Sequence, residues 1–267
     1  MIRTLHRANA TVSGVRTAAN VFAATVLMSM MLVSIPASAS DGHERPQLSE
    51  AEEAELLASM VANSPHRIAL QHAKVAFGDL PANDSKAPDK AVNWTMAPGA
   101  GKAWPKKKGP RNYGFLPYWT LKGTNLHWDE LTEVAWFSAE VNSAGNITTT
   151  HGWGGATAKA LIKEAHAHNV QVTLTFTLFS SSGIATVLST ASKRTALVNK
   201  ITSLVISGGG DGCNIDFEGL PKSAKETMKA FTKELTASMH AKLPGSDVTL
   251  ATPPVDWSGA WDYDYLA

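Results

Sequence analysis

Asp216 and Glu218 stand two residues apart in Asp211-Gly212-Cys213-Asn214-Ile215-Asp216-Phe217-Glu218, a short apolar run that reads as a strand. Side chains alternate across a strand, so Asn214, Asp216 and Glu218 share one face, and Cys213, Ile215 and Phe217 the other. Carboxylates are depleted from strands because half-burying an ionised group is costly unless it is paired. Two acids on one face, backed by an amide, therefore mark a candidate site for proton-transfer chemistry. A solvent-facing edge strand with ordinary polar residues is the plainer alternative. The apolar opposite face and apolar flanking strands favour a buried strand instead.

Such a strand needs neighbours to hold it. Beyond Asn112 the pattern alternates strand and helix: strands over Tyr113 to Tyr118, Leu131 to Ser138, Val170 to Phe179, Gly212 to Phe217 and Val248 to Thr252. Helices are expected over Gly155 to His168, Arg194 to Ser207 and Ser223 to Leu243, with Gly208-Gly209-Gly210 as a stop signal. Alternation of this kind predicts an α/β fold with a parallel sheet, either a barrel or an open doubly wound sheet.

The motif resembles the catalytic signature of glycoside hydrolase family 18, the chitinase-like family, Asp-Gly-x-Asp-x-Asp-x-Glu, with Asn214 as the one substitution. Gly114-Phe115-Leu116-Pro117-Tyr118-Trp119 looks like that family's first strand. Leu131 to Ser138, followed by Gly145-Asn146-Ile147, looks like its second strand and the turn beyond. The sub-branch related to spore and cell-wall glycosidases often carries Asn-Ile-Asp-Phe-Glu here, and Thr175, Thr177 and Ser180-Ser181-Ser182 on the third strand also fit it better than Ser-x-Gly-Gly. The resemblance covers residues 112 to 265 and implies a TIM (β/α)8-type barrel with its site at the strand C-termini. From Asn112 onward the chain offers far fewer residues than the ~250 of a typical barrel, so about the first five β/α units are expected, as a piece of a longer protein. Trp261 to Ala267 reads as the approach to a sixth strand.

The resemblance gives the residues roles. Glu218 would be the general acid that protonates the leaving glycosidic oxygen; a partly dry pocket beside the Asp216 charge would help it keep that proton. The substrate's own N-acetyl oxygen would be the nucleophile in a retaining mechanism, with Asp216 orienting the acetamide. Asn214 would donate a hydrogen bond to Asp216. Asp211 and Gly212 are expected to be structural. Phe115, Tyr118, Trp119 and Trp257 are candidates to line the sugar site, although packing would explain each equally well. The implied activity is cleavage of β-1,4 linkages in N-acetylglucosamine polymers such as chitin. Alternatives are a peptidoglycan glycosidase and a non-catalytic carbohydrate-binding protein, against which Glu218 itself argues.

Nothing else competes for chemistry. The formal net charge of +1 gives no reason to expect a nucleic-acid partner. Lys106-Lys107-Lys108, the one basic run, lies in a Pro/Gly-rich stretch and reads as solvated linker. His151, His166 and His168 read as surface histidines, since an i, i+2 pair on a helix points to different faces; no metal or cofactor is expected. The single cysteine, Cys213, forbids an intramolecular disulfide and reads as a small buried side chain.

The N-terminus looks like an export signal over residues 1–39: basic Arg3, Arg7 and Arg16, an apolar Val21 to Ile35, then Ala37 and Ala39 before a cleavage point. A secreted or cell-envelope protein without a membrane anchor after cleavage follows. Residues 40–80 carry two helical patterns, the first capped by Ser49, with no chemistry visible; a prosegment, a spacer or a docking hairpin all fit. Residues 81–111 read as a linker, and 112–267 as the catalytic region.

Overall fold

The structure is a computed structural model that describes residues 49–77, 102–121, 125–256 and 258–266. The expected export signal and most of the linker lie outside the described residues. Among the described residues no helix is long and apolar enough to cross a membrane.

Five strands pair in parallel in the order β1 (Tyr113–Pro117), β2 (Glu133–Val141), β4 (Gln171–Leu178), β5 (Gly212–Phe217) and β6 (Asp247–Leu250). A short β3 (Ile147–Thr149) returns antiparallel along β2. Helices α3 (Ala156–Ala167), α4 (Ser181–Leu188), α5 (Ala191–Gly208) and α6 (Lys225–Lys242) fill the crossovers, as parallel pairing requires. The outward residues Leu174, Phe176, Cys213, Ile215 and Phe217 join Ile184, Leu197, Ile201, Phe231 and Leu235 of the helices in one core; Phe217 stacks on Phe231 with centroids 5.9 Å apart.

The inward face is polar and buried: Thr173, Thr175, Thr177, Asn214 and Asp216 are all at most 3% exposed. The sheet is strongly curved, because the Tyr113 hydroxyl of β1 reaches both Thr173 of β4 (2.8 Å) and Thr249 of β6 (3.4 Å) across its inside. Burial pushes the Tyr113 phenol up to about 12, so it stays a neutral bridge. The described strands form an arc and do not close a barrel.

Two expectations change here. Ser180-Ser181-Ser182 begins a helix: the Ser180 hydroxyl accepts from the Gly183 amide at 3.1 Å, and Ile184, Val187 and Leu188 bury one side of α4. The last stretch, read as the approach to a further strand, forms a one-turn helix, α7 (Tyr263–Leu266). The Asp262 carbonyl accepts from Leu266 N, and its side chain is tied to Lys229 of α6 at 3.0 Å. The lysine run is not free linker either. Lys106 pairs with Asp247 at 2.9 Å, and Lys107 donates to the carbonyls of Trp128 and Leu131 at 2.7 and 2.9 Å.

Ahead of the sheet, α1 (Glu50–Ala62) and α2 (Pro65–Phe77) form a hairpin. Ser49 and Glu52 make a reciprocal capping box at the start of α1. Pro65 opens α2, where a missing amide hydrogen costs nothing, and the Ser64 hydroxyl accepts from Arg67 N.

Candidate active site

β5 fixes the acids through its register. Thr175 lies beside Asn214 and Thr177 beside Asp216 on β4, and Thr249 of β6 lies beside Asn214 on the other flank. Gly212 permits this pairing. A Cβ there would stand 2.3 Å from the Asp247 carbonyl oxygen, so any side chain would push β6 away from the start of β5.

Asp216 is fully buried. Its Oδ2 lies 2.9 Å from His66 Nδ1, while Oδ1 has no hydrogen-bond partner among the described residues. Glu218 sits just past the strand, its amide donating to the Leu178 carbonyl at 3.2 Å. Its side chain is 23% exposed, and Oε1 lies 3.3 Å from the same His66 nitrogen. Burial pushes the Asp216 carboxyl above the usual carboxylate range; the His66 bond pulls the other way, and the Glu218 charge adds to the rise. The bonds to Asp216 and Glu218 push the His66 imidazole up to about 10, against the opposing effect of burial. At neutral pH His66 is an imidazolium held between two acids.

His66 is the functional-site residue that the sequence did not reveal. It is the second residue of α2, 150 positions before its partner Asp216. No local pattern marks it; only a complete set of long-range contacts does.

Asn214 does not donate to Asp216. Its Nδ2 donates to the Thr249 hydroxyl at 2.9 Å, because Thr249 is its register partner on the same inward face. Its Oδ1, like Thr175 Oγ1 and Asp216 Oδ1, is buried without a partner among the described residues. These three acceptor atoms sit on adjoining positions of one polar face.

Asp211 belongs to the opposite end of the strands. It accepts from Trp104 N (2.7 Å), Val172 N (2.8 Å) and His166 Nε2 (2.7 Å), which leaves it no part in the acid pair. The histidines expected at the surface are largely built in. His166 stacks on Trp104 at 4.4 Å. His151 pairs with Glu140 at 2.8 Å and stacks on Tyr118 at 3.9 Å. His168 is exposed and stacks on Trp128.

The aromatic candidates divide. Phe115 is 40% exposed and lies 5.2 Å from the His66 ring, beside Phe137 at 5.3 Å from that ring. Trp119 is part-buried and meets Phe137 edge-on at 6.0 Å. Tyr118 is buried against His151, so it is packing rather than an open platform. Trp257 lies outside the described residues.

His66, Asp216 and Glu218 also form a His/acid trio whose nearest atoms lie within 4.8 Å of one another. In this structure the three side chains contact one another directly, His66 Nδ1 lying 2.9 Å from Asp216 and 3.3 Å from Glu218. The trio is an ion-paired set. A separate cavity of 850 Å³ lies at the other end of the sheet, lined by Trp104, Lys159, Lys163 and His166 among others. Neither Asp216 nor Glu218 lines it, so it lies apart from the acid pair.

No family model matches the chain. A curated relative is the provisionally named sporulation-specific glycosylase YdhD of Bacillus subtilis, 28% identical over 193 residues. That match covers 65% of this chain and 45% of YdhD, so the chain spans a little under half the length of this relative. Among solved structures it is similar to the C-terminal domain of a provisionally named chitinase from Desulfitobacterium hafniense. The identity is 19% and the TM-score 0.50, covering 58% of this chain and 51% of that one. The GH18 chitinase ChiB of Flavobacterium johnsoniae matches at 18% identity and TM-score 0.46, over 62% of this chain and 51% of ChiB. By name these relatives are a glycosylase and two chitinases.

Proposed function

We propose that the chain carries the acid end of a retaining glycosidase acting on N-acetylglucosamine-containing glycans, within a barrel of which the described strands are an arc. The carrying observation is Asp216: buried, beside Glu218, with one carboxylate oxygen left unpartnered. A buried acceptor without a donor is costly in a purely structural setting. It is what an acetamide N–H requires.

In this reading Glu218 gives its proton to the glycosidic oxygen as the bond from C1 breaks. The acetamido oxygen of the same sugar closes onto C1, and Asp216 accepts from the acetamide nitrogen and offsets the positive charge of the resulting ring. Water then attacks C1 and returns a proton to Glu218, restoring the original anomeric configuration. The partly exposed position of Glu218 suits an acid that must meet both leaving group and water.

A second reading directs the same chemistry to cell-wall glycan. It is favoured by Asn214 in the Asn-Ile-Asp-Phe-Glu form of the motif and by the sporulation-linked name of YdhD. The export pattern of residues 1–39 supports action outside the cytoplasm in either case.

The test uses the full-length gene product on chitin oligomers and on purified cell wall. Glu218→Gln lowers turnover about 10²- to 10⁴-fold with the circular dichroism spectrum unchanged. Undiminished turnover in that variant refutes the assignment. Binding without hydrolysis of either glycan by the unaltered protein would identify a carbohydrate-binding protein instead.

A further inference from the structure

The α1–α2 hairpin contributes nothing that proton transfer requires, yet it stands in the place where the chemistry happens. His66 bonds to both acids, at 2.9 and 3.3 Å, and its ring lies against Phe115 and Phe137 at 5.2 and 5.3 Å. Acids below and an aromatic wall beside are the surroundings a sugar ring would need. A protein side chain occupies them.

The fit is electrostatic and steric at once. His66 is the second residue of the 13-residue α2, so the positive end of that helix also points toward the two carboxylates. Val61 of α1 covers Gly219, the residue after Glu218. A Cβ on Gly219 would meet Val61 Cγ2 at 2.3 Å and Ser181 Oγ at 2.8 Å, and its φ of +81° favours glycine in any case. The glycine lets the hairpin come down onto the end of β5.

The attachment is also separate from the main core. Leu57 and Val61 are each only 5% exposed, but neither belongs to the hydrophobic cluster that joins the strands to α3, α4, α5 and α6. Among the described residues the attachment consists of this small apolar patch and His66 with its acid and aromatic contacts, which makes the hairpin separable without unfolding the sheet.

We propose that residues 50–77 are a self-docked plug: the α1–α2 hairpin covers the acid pair through His66 and Val61, and an N-acetylglucosamine glycan must displace it to react. This rests on the glycosidase reading of Asp216 and Glu218 and adds its regulation. A site open for only a fraction of the time binds more weakly by that fraction. Loosening the plug therefore raises kcat/KM.

The experiment compares full-length wild type with His66→Ala and Val61→Asp on a chitin oligomer, and follows amide hydrogen exchange of residues 50–77 with and without that oligomer in Glu218→Gln. Both plug variants are expected to show kcat/KM raised about 10- to 100-fold, as for a site closed 90 to 99% of the time. In Glu218→Gln the oligomer is expected to remove protection from residues 50–77. An active wild type with unchanged or lowered kcat/KM in both variants overturns the plug. So does protection of 50–77 that the bound oligomer leaves untouched. If wild type, His66→Ala and Val61→Asp all fail to hydrolyse chitin oligomer and cell wall, the glycosidase reading falls. The exchange arm then still judges the docking: protection of 50–77 lost in Asp216→Asn/Glu218→Gln without ligand upholds it, and unchanged protection overturns it.

Discussion

Asp211, just before β5, and Asp216, near its end, lie five residues apart, and the two ends they occupy treat a buried carboxylate in opposite ways. At the N-terminal end Asp211, Glu133 and Asp247 are consumed by framework. Asp211 takes two backbone amides and His166; Glu133 is paired with Arg111 at 2.8 Å; Asp247 holds Arg111 and Lys106. At the C-terminal end Asp216 keeps an oxygen without a hydrogen-bond partner among the described residues, and its other oxygen is held by a residue from a separate hairpin. Burial alone does not distinguish the two, since both aspartates are at most 3% exposed. Satisfaction does. A fully bonded buried acid secures the fold, and one left partly free is available to a ligand.

The contrast breaks most sharply at Asp211. Asp211→Ala strands the buried amide of Val172 and leaves the part-buried amide of Trp104 without its acceptor, and a buried unpaired donor costs about 1–3 kcal/mol. A loss of about 3–5 kcal/mol in unfolding free energy is expected from denaturant titration, with the folded fraction retaining its activity. Asp216→Asn should do the reverse. It keeps the shape and loosens only the His66 attachment of the hairpin, so the stability of the sheet itself changes little, while kcat/KM falls about 10²- to 10³-fold for loss of an electrostatic partner. If Asp216→Asn proved as destabilising as Asp211→Ala, the two ends would be alike and the functional assignment of Asp216 would fail.

Much of this was legible in the sequence where the physics is local. The period-2 alternation of Asn214, Asp216 and Glu218 against Cys213, Ile215 and Phe217 places both sets on their observed faces, because one face had to be apolar to meet the helices. Helices α3, α5 and α6 follow from apolar spacing and stop signals. What failed depended on partners distant in sequence. The Asn214 amide goes to Thr249 because β6 supplies the neighbouring register position, a fact no spacing within β5 contains. Lys106 and Lys107 look like linker until Asp247 and two carbonyls of the segment before β2 fold beside them. Helix α4 was hidden by three serines that serve as cap and first turn. His66 was invisible for the same reason in its strongest form, a contact across 150 residues.

A smaller effect sharpens the comparison at the boundary between the ends. Gly212→Ala places a methyl against the Asp247 backbone, where it cannot be relieved by a side-chain rotation. Overpacking of this kind costs about 1–3 kcal/mol. Because Gly212 precedes the acids by only four and six residues, β5 should also shift relative to β6, and activity should fall along with the melting temperature. A stable but inactive Gly212→Ala protein would show that the spacing matters to the site more than to the framework.

The subtlest expected effect is a pH dependence confined to the C-terminal end. His66 faces Asp216 and Glu218 at the end of β5, with only the uncharged rings of Phe115 and Phe137 beside it from β1 and β2. Its folded value of about 10 lies above the ordinary 6.5, so the protonated form is favoured by folding. The stabilisation it gives is fully present below about pH 6.5 and is lost as pH rises through about 10. The difference in urea midpoint between wild type and His66→Ala should therefore be largest near pH 6 and shrink steadily toward pH 10. A His66→Ala difference that stayed constant with pH would mean the histidine holds the hairpin by packing alone, and the charge contrast between the two ends would lose its mobile partner.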